Sequence, residues 1–277
     1  MNPILAFDDL EAQARAGWDF GEKLCTECNS YHQTWGILRA AKSTNAAEND
    51  RHLLAPLLDR QIAPGGNILI AGSADAGLLQ LLVSTVSARP ITISIVDRCP
   101  APIALINALE RPSGVTVDAW QCDLTAFEGA ARYDLIMSHS MLPFVDPPTR
   151  VAILERLRDS LAPEGRLYVV VRTAPLVSAE VSDDHDQAWL ARAMGKLSTI
   201  PELVRYCGDA LPARLTQVAG SRRSRAYVFR EAAEVVALLA TAGLEVERHI
   251  VGDVSGSLAV AGRTIERQSH IFVSRKS

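Results

Sequence analysis

The sequence predicts an α/β fold: a doubly wound, mainly parallel sheet, preceded by helices and closed by an antiparallel last strand. Three observations carry this expectation. Short apolar runs bounded by Gly, Pro or Asp recur from Asn67 onward, the texture of strands covered on both faces. Helical patterns alternate with them, and strand–helix alternation builds a parallel sheet. The last two runs, Leu244–Val251 and Gln268–Ser274, are separated by Gly252–Arg267, which has no helical periodicity. Without a crossover helix the final strand is expected to run antiparallel to its neighbour.

Residues 1–63 read as a helical extension, with Leu24, Tyr31, Trp35 and Leu38, then Leu53, Leu54, Leu57, Leu58 and Ile62, at helical spacing. Asn49 and Asp50 stand where the second of these helices needs a cap, and Pro64-Gly65-Gly66 stops it. The strands expected next are Asn67–Ala71, Ile91–Val96, Val115–Gln121, Tyr133–Ser138 and Arg166–Val171. Between them lie helical patterns over Leu78–Ser87, Ala101–Leu109 and Thr149–Leu161; the last aligns Val151, Leu154, Leu157 and Leu161 and ends at Pro163-Glu164-Gly165. Residues 174–226 interrupt the alternation with a charged, Pro- and Ser-rich insert holding helical pieces at Asp186–Lys196 and Pro201–Tyr206. A helix over Arg230–Ala242 resumes it. The domain reading is therefore a helical extension, 1–63, on a domain 64–277 that carries the variable insert 174–226.

Composition narrows the function. The 277 residues hold 28 Lys+Arg against 32 Asp+Glu, a formal charge of −4. With 48% hydrophobic and 22% charged residues the chain is an ordinary folded one. Its mild acidity argues against nucleic acid as partner, which calls for a concentrated positive face. The most apolar stretch, Asn67–Ala88, is broken by Ser73, Asp75 and Gln80 and falls short of a bilayer span. The opening MNPILAFDDLEAQARAG lacks the basic-then-apolar order of a secretory signal. A cytoplasmic protein with a small-molecule substrate, no nucleic-acid or membrane partner, and a surface compatible with a homodimer is the expectation.

Five cysteines, Cys25, Cys28, Cys99, Cys122 and Cys207, are odd in number and scattered, so no disulfide framework is expected. Cys25-Thr26-Glu27-Cys28 followed by His32 offers three zinc ligands, but no second pair stands at a spacing that closes a four-ligand site. The expectation is no metal. Asp183-Asp184-His185-Asp186, metal-like in composition, is expected to be a solvated loop.

The chemistry is read at the strand ends. The turn Ala71-Gly72-Ser73-Ala74-Asp75-Ala76-Gly77 joins the first strand to a helix. Its small residues let a ligand approach the backbone, and the helix start offers amide donors; a turn needing Gly for geometry alone explains it equally well. It is neither a P-loop nor an intact GxGxxG. The second strand ends in Asp97, suited to accept hydrogen bonds from ribose hydroxyls. After the third comes Cys122-Asp123-Leu124, where the acid can take an adenine amine and Leu124 can pack on the ring. Three strand ends converge on one crevice, the expected ligand position in such sheets.

In this order the motifs NILIAGSADAG, SIVDR, QCDL, YDLIMSHSML and LRDSLAPEGRLYVVV resemble those of the class I S-adenosylmethionine-dependent methyltransferases, over about 67–173 and again 227–274. The resemblance implies a Rossmann-like seven-stranded sheet with an antiparallel last strand, S-adenosylmethionine as cofactor, and methyl transfer to a small molecule. It implies cofactor contacts from Gly72, Ser73, Ala74, Asp75, Gly77, Asp97, Arg98, Cys122, Asp123, Leu124 and Ser138. The chain departs from the pattern at Ile70, where the family has an acidic residue, and at Ala74 and Ala76, where it has Gly. Asp75 or a residue of the N-terminal helices would then compensate.

Ser138-His139-Ser140-Met141 lies where the family faces the transferred methyl, with His139 as general base for an oxygen or nitrogen nucleophile or, equally, as a residue tying down the loop. Ser140 and Met141 would face the acceptor. Tyr31, His32 and Trp35 are candidates for a lid over the cofactor, with cation–π attraction toward a sulfonium; core packing accounts for the same stripe. Arg222, Arg223 and Arg225, with Tyr227 and with Arg172 at the end of the fifth strand, would hold an anionic substrate if they are more than a solvated face. Two rivals stand beside this reading: a nicotinamide-dependent oxidoreductase, and a non-catalytic member of the same fold.

Overall fold

The apolar runs fold as strands β1 (Asn67–Ala71), β2 (Ile91–Asp97), β3 (Val115–Gln121), β4 (Tyr133–His139) and β5 (Leu161–Thr173), joined by β6 (Leu244–Val260) and β7 (Arg263–Lys276). The computed structural model describes residues 4–44, 47–175, 183–225, 228–260 and 263–277; within these, 183–186, 221–225, 254–260 and 263–265 are described by backbone alone. One seven-stranded sheet results, in the order β3-β2-β1-β4-β5-β7-β6. Neighbours among β1–β5 pair parallel, while β7 is antiparallel to both β5 and β6. Strand order reverses between β1 and β4, which puts the switch point of the sheet there.

Sheet burial explains the unbroken apolar runs. In β1, Ile68 and Ile70 pack into the cluster on one face, whereas Leu69 and Ala71 pack into the cluster on the other. Alternate residues thus both meet helices, and no polar face is needed. Each fully buried Leu or Ile contributes about 1.5–3 kcal/mol of transfer free energy.

Register then sets the site. Ala71 pairs with Val96 and Asp97 with Gln121, so the carboxyl ends of β1, β2 and β3 finish level at one edge.

The helices are α1 (Leu10–Leu24), α2 (Tyr31–Ala40), α3 (Arg51–Gln61), α4 (Gly77–Thr85), α5 (Pro100–Asn107), α6 (Pro147–Ser160), α7 (Asp183–Leu197), α8 (Pro201–Cys207), α9 (Ala210–Arg225) and α10 (Ala232–Thr241). The N-terminal helices and the insert share a third apolar cluster. Ala14, Trp18, Ile37 and Leu38 meet Leu197, Leu203, Leu211 and Leu215 in it. The insert leaves and rejoins the sheet at one point, where Thr173 bridges Phe229 and Ala174 N–H donates to the Phe229 carbonyl at 2.9 Å.

Two local expectations are corrected. Gly252–Val260 and Arg263–Arg267, expected only to separate two short strands, instead prolong β6 and β7, which pair antiparallel. Register shifts after Val246, Val251 and Val254 break the period-2 pattern that marks a strand in sequence. The charged insert also holds helix α9, which is polar overall; Leu211, Leu215, Val218 and Ala219 form its narrow buried stripe. Asp183–Asp186 opens helix α7 rather than a loop, with side chains outside the described residues.

Candidate functional site

At the level edge formed by β1, β2 and β3 a cavity of ≈ 730 Å³ opens, within the range of small-molecule sites. It brings together nearly all of the residues predicted to hold a nucleoside cofactor: Gly72, Ser73, Ala74, Asp75 and Gly77 of the first turn, Asp97 and Arg98, and Cys122, Asp123 and Leu124. Tyr31, His32 and Trp35 line it from α2, and His139, Ser140 and Met141 from the end of β4.

The turn after β1 is built by its own polar groups. Gly72 takes φ +81°, and a Cβ there would lie 2.8 Å from Met141 Cγ, so glycine serves both the backbone and the close approach. The Ser73 N–H donates to Asp97 Oδ2 at 2.9 Å, and the Cys99 N–H to Asp97 Oδ1 at 2.7 Å. Each carboxylate oxygen keeps a lone pair for a further donor. Ser73 Oγ donates to the Asp75 carbonyl at 2.6 Å. Asp75 accepts the Gly77 N–H at 2.8 Å on one oxygen and Arg39 Nη1 at 3.1 Å on the other. Its carboxylate therefore shapes the turn and ties it to α2. Ile70 is fully buried in the core. Arg39, buried in α2, also donates to Glu48 Oε1 through Nε at 2.7 Å and to Gln80 Oε1 through Nη2 at 2.6 Å.

Asp123, at the exposed end of the site, accepts from Thr125 N and Oγ1, both at 2.8 Å, and these bonds hold its carboxyl below the ordinary range. Burial and the neighbouring Asp123 charge push the Cys122 thiol up. Aromatic rings cluster on one wall: the Tyr31 ring centroid lies 5.3 Å from that of Trp35 and 5.4 Å from that of Phe144, a residue of the segment after β4.

His139 is held by a residue that sequence reading took for a helix cap. Its Nε2 lies 2.8 Å from Asp50 Oδ2, and both side chains are buried. Arg172 Nη2 donates to the same oxygen at 2.8 Å and Ser269 Oγ to Asp50 Oδ1 at 2.9 Å. Burial raises the Asp50 carboxyl, but the His139 hydrogen bond and the Arg172 charge outweigh it and bring it down to about 2.

Arg172, expected to hold a substrate, is 4% exposed and is not one of the residues that line this cavity; its guanidinium donates to Asp50 Oδ2 and, at 2.7 Å, to Ser140 Oγ. Ser138 is likewise buried in β4 behind the lining, where its Oγ takes no partner. Arg223 falls in the last turns of α9, its side chain outside the described residues, as is the whole of Tyr227.

The expectation that no fourth ligand reaches Cys25, Cys28 and His32 is overturned by Cys99. The ligand atoms of these four side chains all lie within 4.8 Å of one another. Nothing near Cys25 in sequence signals it, because Cys99 stands 74 residues away. Phe144, Arg39 and Asp50 were missed for the same reason: their partners are distant in the chain.

No family model and no curated protein sequence matches the chain. Solved structures do. A SAM-dependent methyltransferase from Leishmania major superposes with TM-score 0.53 at 10% identity, over 96% of this chain and 83% of that one. The pyocyanin biosynthetic protein PhzM gives TM-score 0.51 at 17% identity over 91% of this chain, and the mitomycin 7-O-methyltransferase MmcR gives 0.47 at 15% over 82%. This chain spans 62% of the length of PhzM and 54% of that of MmcR. Among the described residues no helix is long and apolar enough to cross a membrane. At these identities the likeness bears on architecture, and together with the strand order it establishes that this chain has the class I S-adenosylmethionine-dependent methyltransferase fold.

Proposed function

We propose that this chain transfers a methyl group from S-adenosylmethionine to a small-molecule acceptor at an oxygen or nitrogen nucleophile. The observation that carries the reading is the meeting of Asp97, Asp123 and the Gly72–Gly77 turn on one cavity. The residues fit a nucleoside. Asp97 is oriented by two backbone N–H groups and still has acceptor capacity, and the cradle at Gly72 is one that a Cβ would fill.

When bound, S-adenosylmethionine supplies a methyl group activated by its sulfonium. Asp97 holds the ribose hydroxyls, and Asp123 with Leu124 holds the adenine. Tyr31, Trp35 and Phe144 exclude water and offer aromatic faces to a cation. His139 takes the acceptor's proton. Ionised Asp50 accepts from Nε2–H and so leaves Nδ1 as the basic nitrogen, a tautomer assigned from this hydrogen-bond network. Ser140 and Met141 border the acceptor space. With Arg172 committed to Asp50, an anionic acceptor has lost one predicted partner, and alignment of nucleophile and methyl carries most of the catalysis. None of the five cysteines is joined in a disulfide, which fits a reducing, cytoplasmic setting.

Calorimetry with S-adenosylhomocysteine, followed by methyl-transfer assays over a panel of phenols, alcohols and amines, tests the proposal. Binding with turnover of at least one acceptor is expected. Binding without any turnover would move the chain to the non-catalytic reading, and stabilisation by NAD alone would end the methyltransferase one.

A further inference from the structure

In the wall of the cavity, which Cys28, His32 and Cys99 help to line, sits a cluster of four side chains of metal-ligand type, independent of any methyl-transfer chemistry. Cys25 ends α1, Cys28 lies in the turn to α2, and His32 stands in the first turn of α2. Cys99 comes from the opposite wall, as the residue that begins α5 just after β2. Asn29 and Ser30 both take left-handed backbone, φ 47° and 62°, curling the turn between Cys28 and His32.

Three features set this cluster apart from cysteines that happen to be near one another. All four ligand atoms fall within 4.8 Å of one another. The Cys25 and Cys99 sulfurs are 3.6 Å apart, close to the edge of about 3.8 Å that a tetrahedron with Zn–S bonds of ≈ 2.3 Å requires. That spacing is far longer than the ~2.05 Å of a disulfide. His32 Nδ1 is sealed from solvent and takes no hydrogen-bond partner among the described residues, a buried polar atom that calls for an account. A set of three soft sulfurs and one imidazole selects zinc among the divalent ions, and four protein ligands make a closed, structural site.

We propose that Cys25, Cys28, His32 and Cys99 bind one zinc ion, which fastens the α1–α2 turn to the β2–α5 turn at the rim of the cavity. The join is well placed to matter. The Cys99 N–H donates to Asp97, so the ion fixes the end of β2 as well as the lid. Metal binding and closure of the helical cap are one event, and removing the ion loosens the lid while leaving the sheet intact.

The test uses the full chain, purified under reductant. Metal analysis of the isolated protein is expected to give one zinc per chain. Chelation should expose three further thiols to a disulfide-exchange reagent and lower the melting temperature. Cobalt(II) added to the metal-free protein should give the thiolate charge-transfer band and the intense visible bands of a tetrahedral site at one equivalent, and zinc should displace it. Cys99→Ser should abolish that spectrum, whereas Cys207→Ala, whose sulfur lies in the cap core away from the cluster, should keep it. Isolated protein without zinc that also gives no tetrahedral cobalt spectrum overturns the proposal, as does a spectrum unchanged in Cys99→Ser. Should Cys99→Ser fail to fold, the wild-type cobalt titration and thiol count decide alone.

Discussion

Asp50, the last residue before α3, and His139, the last of β4, are 89 positions apart and meet at 2.8 Å inside the protein. Arg172 closes the group from β5, so a carboxylate, an imidazole and a guanidinium share one buried spot at the cavity wall. Replacing Asp50 by Asn removes the charge from one side of a buried ion pair in which the Asp50 and Arg172 side chains are 5% and 2% exposed, a loss of about 3–5 kcal/mol by comparison with other broken buried pairs. Urea unfolding of Asp50→Asn against wild type measures it. A loss below about 1 kcal/mol would mean that water reaches the group.

The same carboxylate gives the protein an acid limit. Asp50 titrates at about 2 when folded against an ordinary 3.8, so the unfolded chain binds its proton more readily. Its contribution, on the order of 2 kcal/mol, is complete above pH 3.8, declines as the pH falls, and is gone below about 2. Unfolding free energy should therefore drop in this window more steeply for wild type than for Asp50→Asn.

Asp97→Ala should weaken S-adenosylhomocysteine binding by about 1–3 kcal/mol, the cost of losing hydrogen bonds from a charged acceptor. It also frees the Ser73 and Cys99 N–H groups that Asp97 now accepts, so a modest fall in melting temperature should accompany the weaker binding. Calorimetry at unchanged affinity would refute the ribose assignment.

Gly72→Ala should cost stability and affinity together. Alanine at φ +81° loses about 1–2 kcal/mol, and its Cβ would press on Met141 at 2.8 Å, closing the space where the turn meets the acceptor side. Gly65→Ala supplies the control. It has a similar φ of +83° but nothing within 4 Å of the new Cβ, so it should show the backbone penalty alone, with cofactor affinity preserved.

The meeting of Gly72, Asp97 and Asp123 on one cavity was legible because its signals are local. Gly72, Asp97 and Asp123 each end a strand, and parallel pairing in register brings consecutive strand ends level without further information. The remainder depended on which distant surfaces meet. Asp50 carries the sequence mark of a helix cap, yet its oxygens go to His139, Arg172 and Ser269. Cys99 looks unremarkable until α1 and α2 fold over β2. Arg172 and Ser138 stand near the ends of their strands as expected but are buried and do not line the cavity, because burial follows from sheet and helix packing rather than from position along the strand.

Arg39 tests whether the helical cap and the cofactor turn act as one unit. Its guanidinium joins α2 to Asp75 in the turn and to Gln80 in α4, with Glu48 as a second carboxylate. Burial lowers its proton affinity, but Asp75 and Glu48 more than restore it, so the charge is kept. Arg39→Met retains much of the side-chain volume and removes the donors, leaving Asp75 buried with only the Gly77 N–H on its carboxylate. Lost stability alone would describe a structural clasp. A clasp that also sets the turn should raise the Kd for S-adenosylhomocysteine, and a double-mutant cycle of Arg39→Met with Asp75→Asn should give a coupling of about 1–3 kcal/mol in both folding and binding. Coupling in folding with none in binding would show that α2 rests on the turn without shaping it.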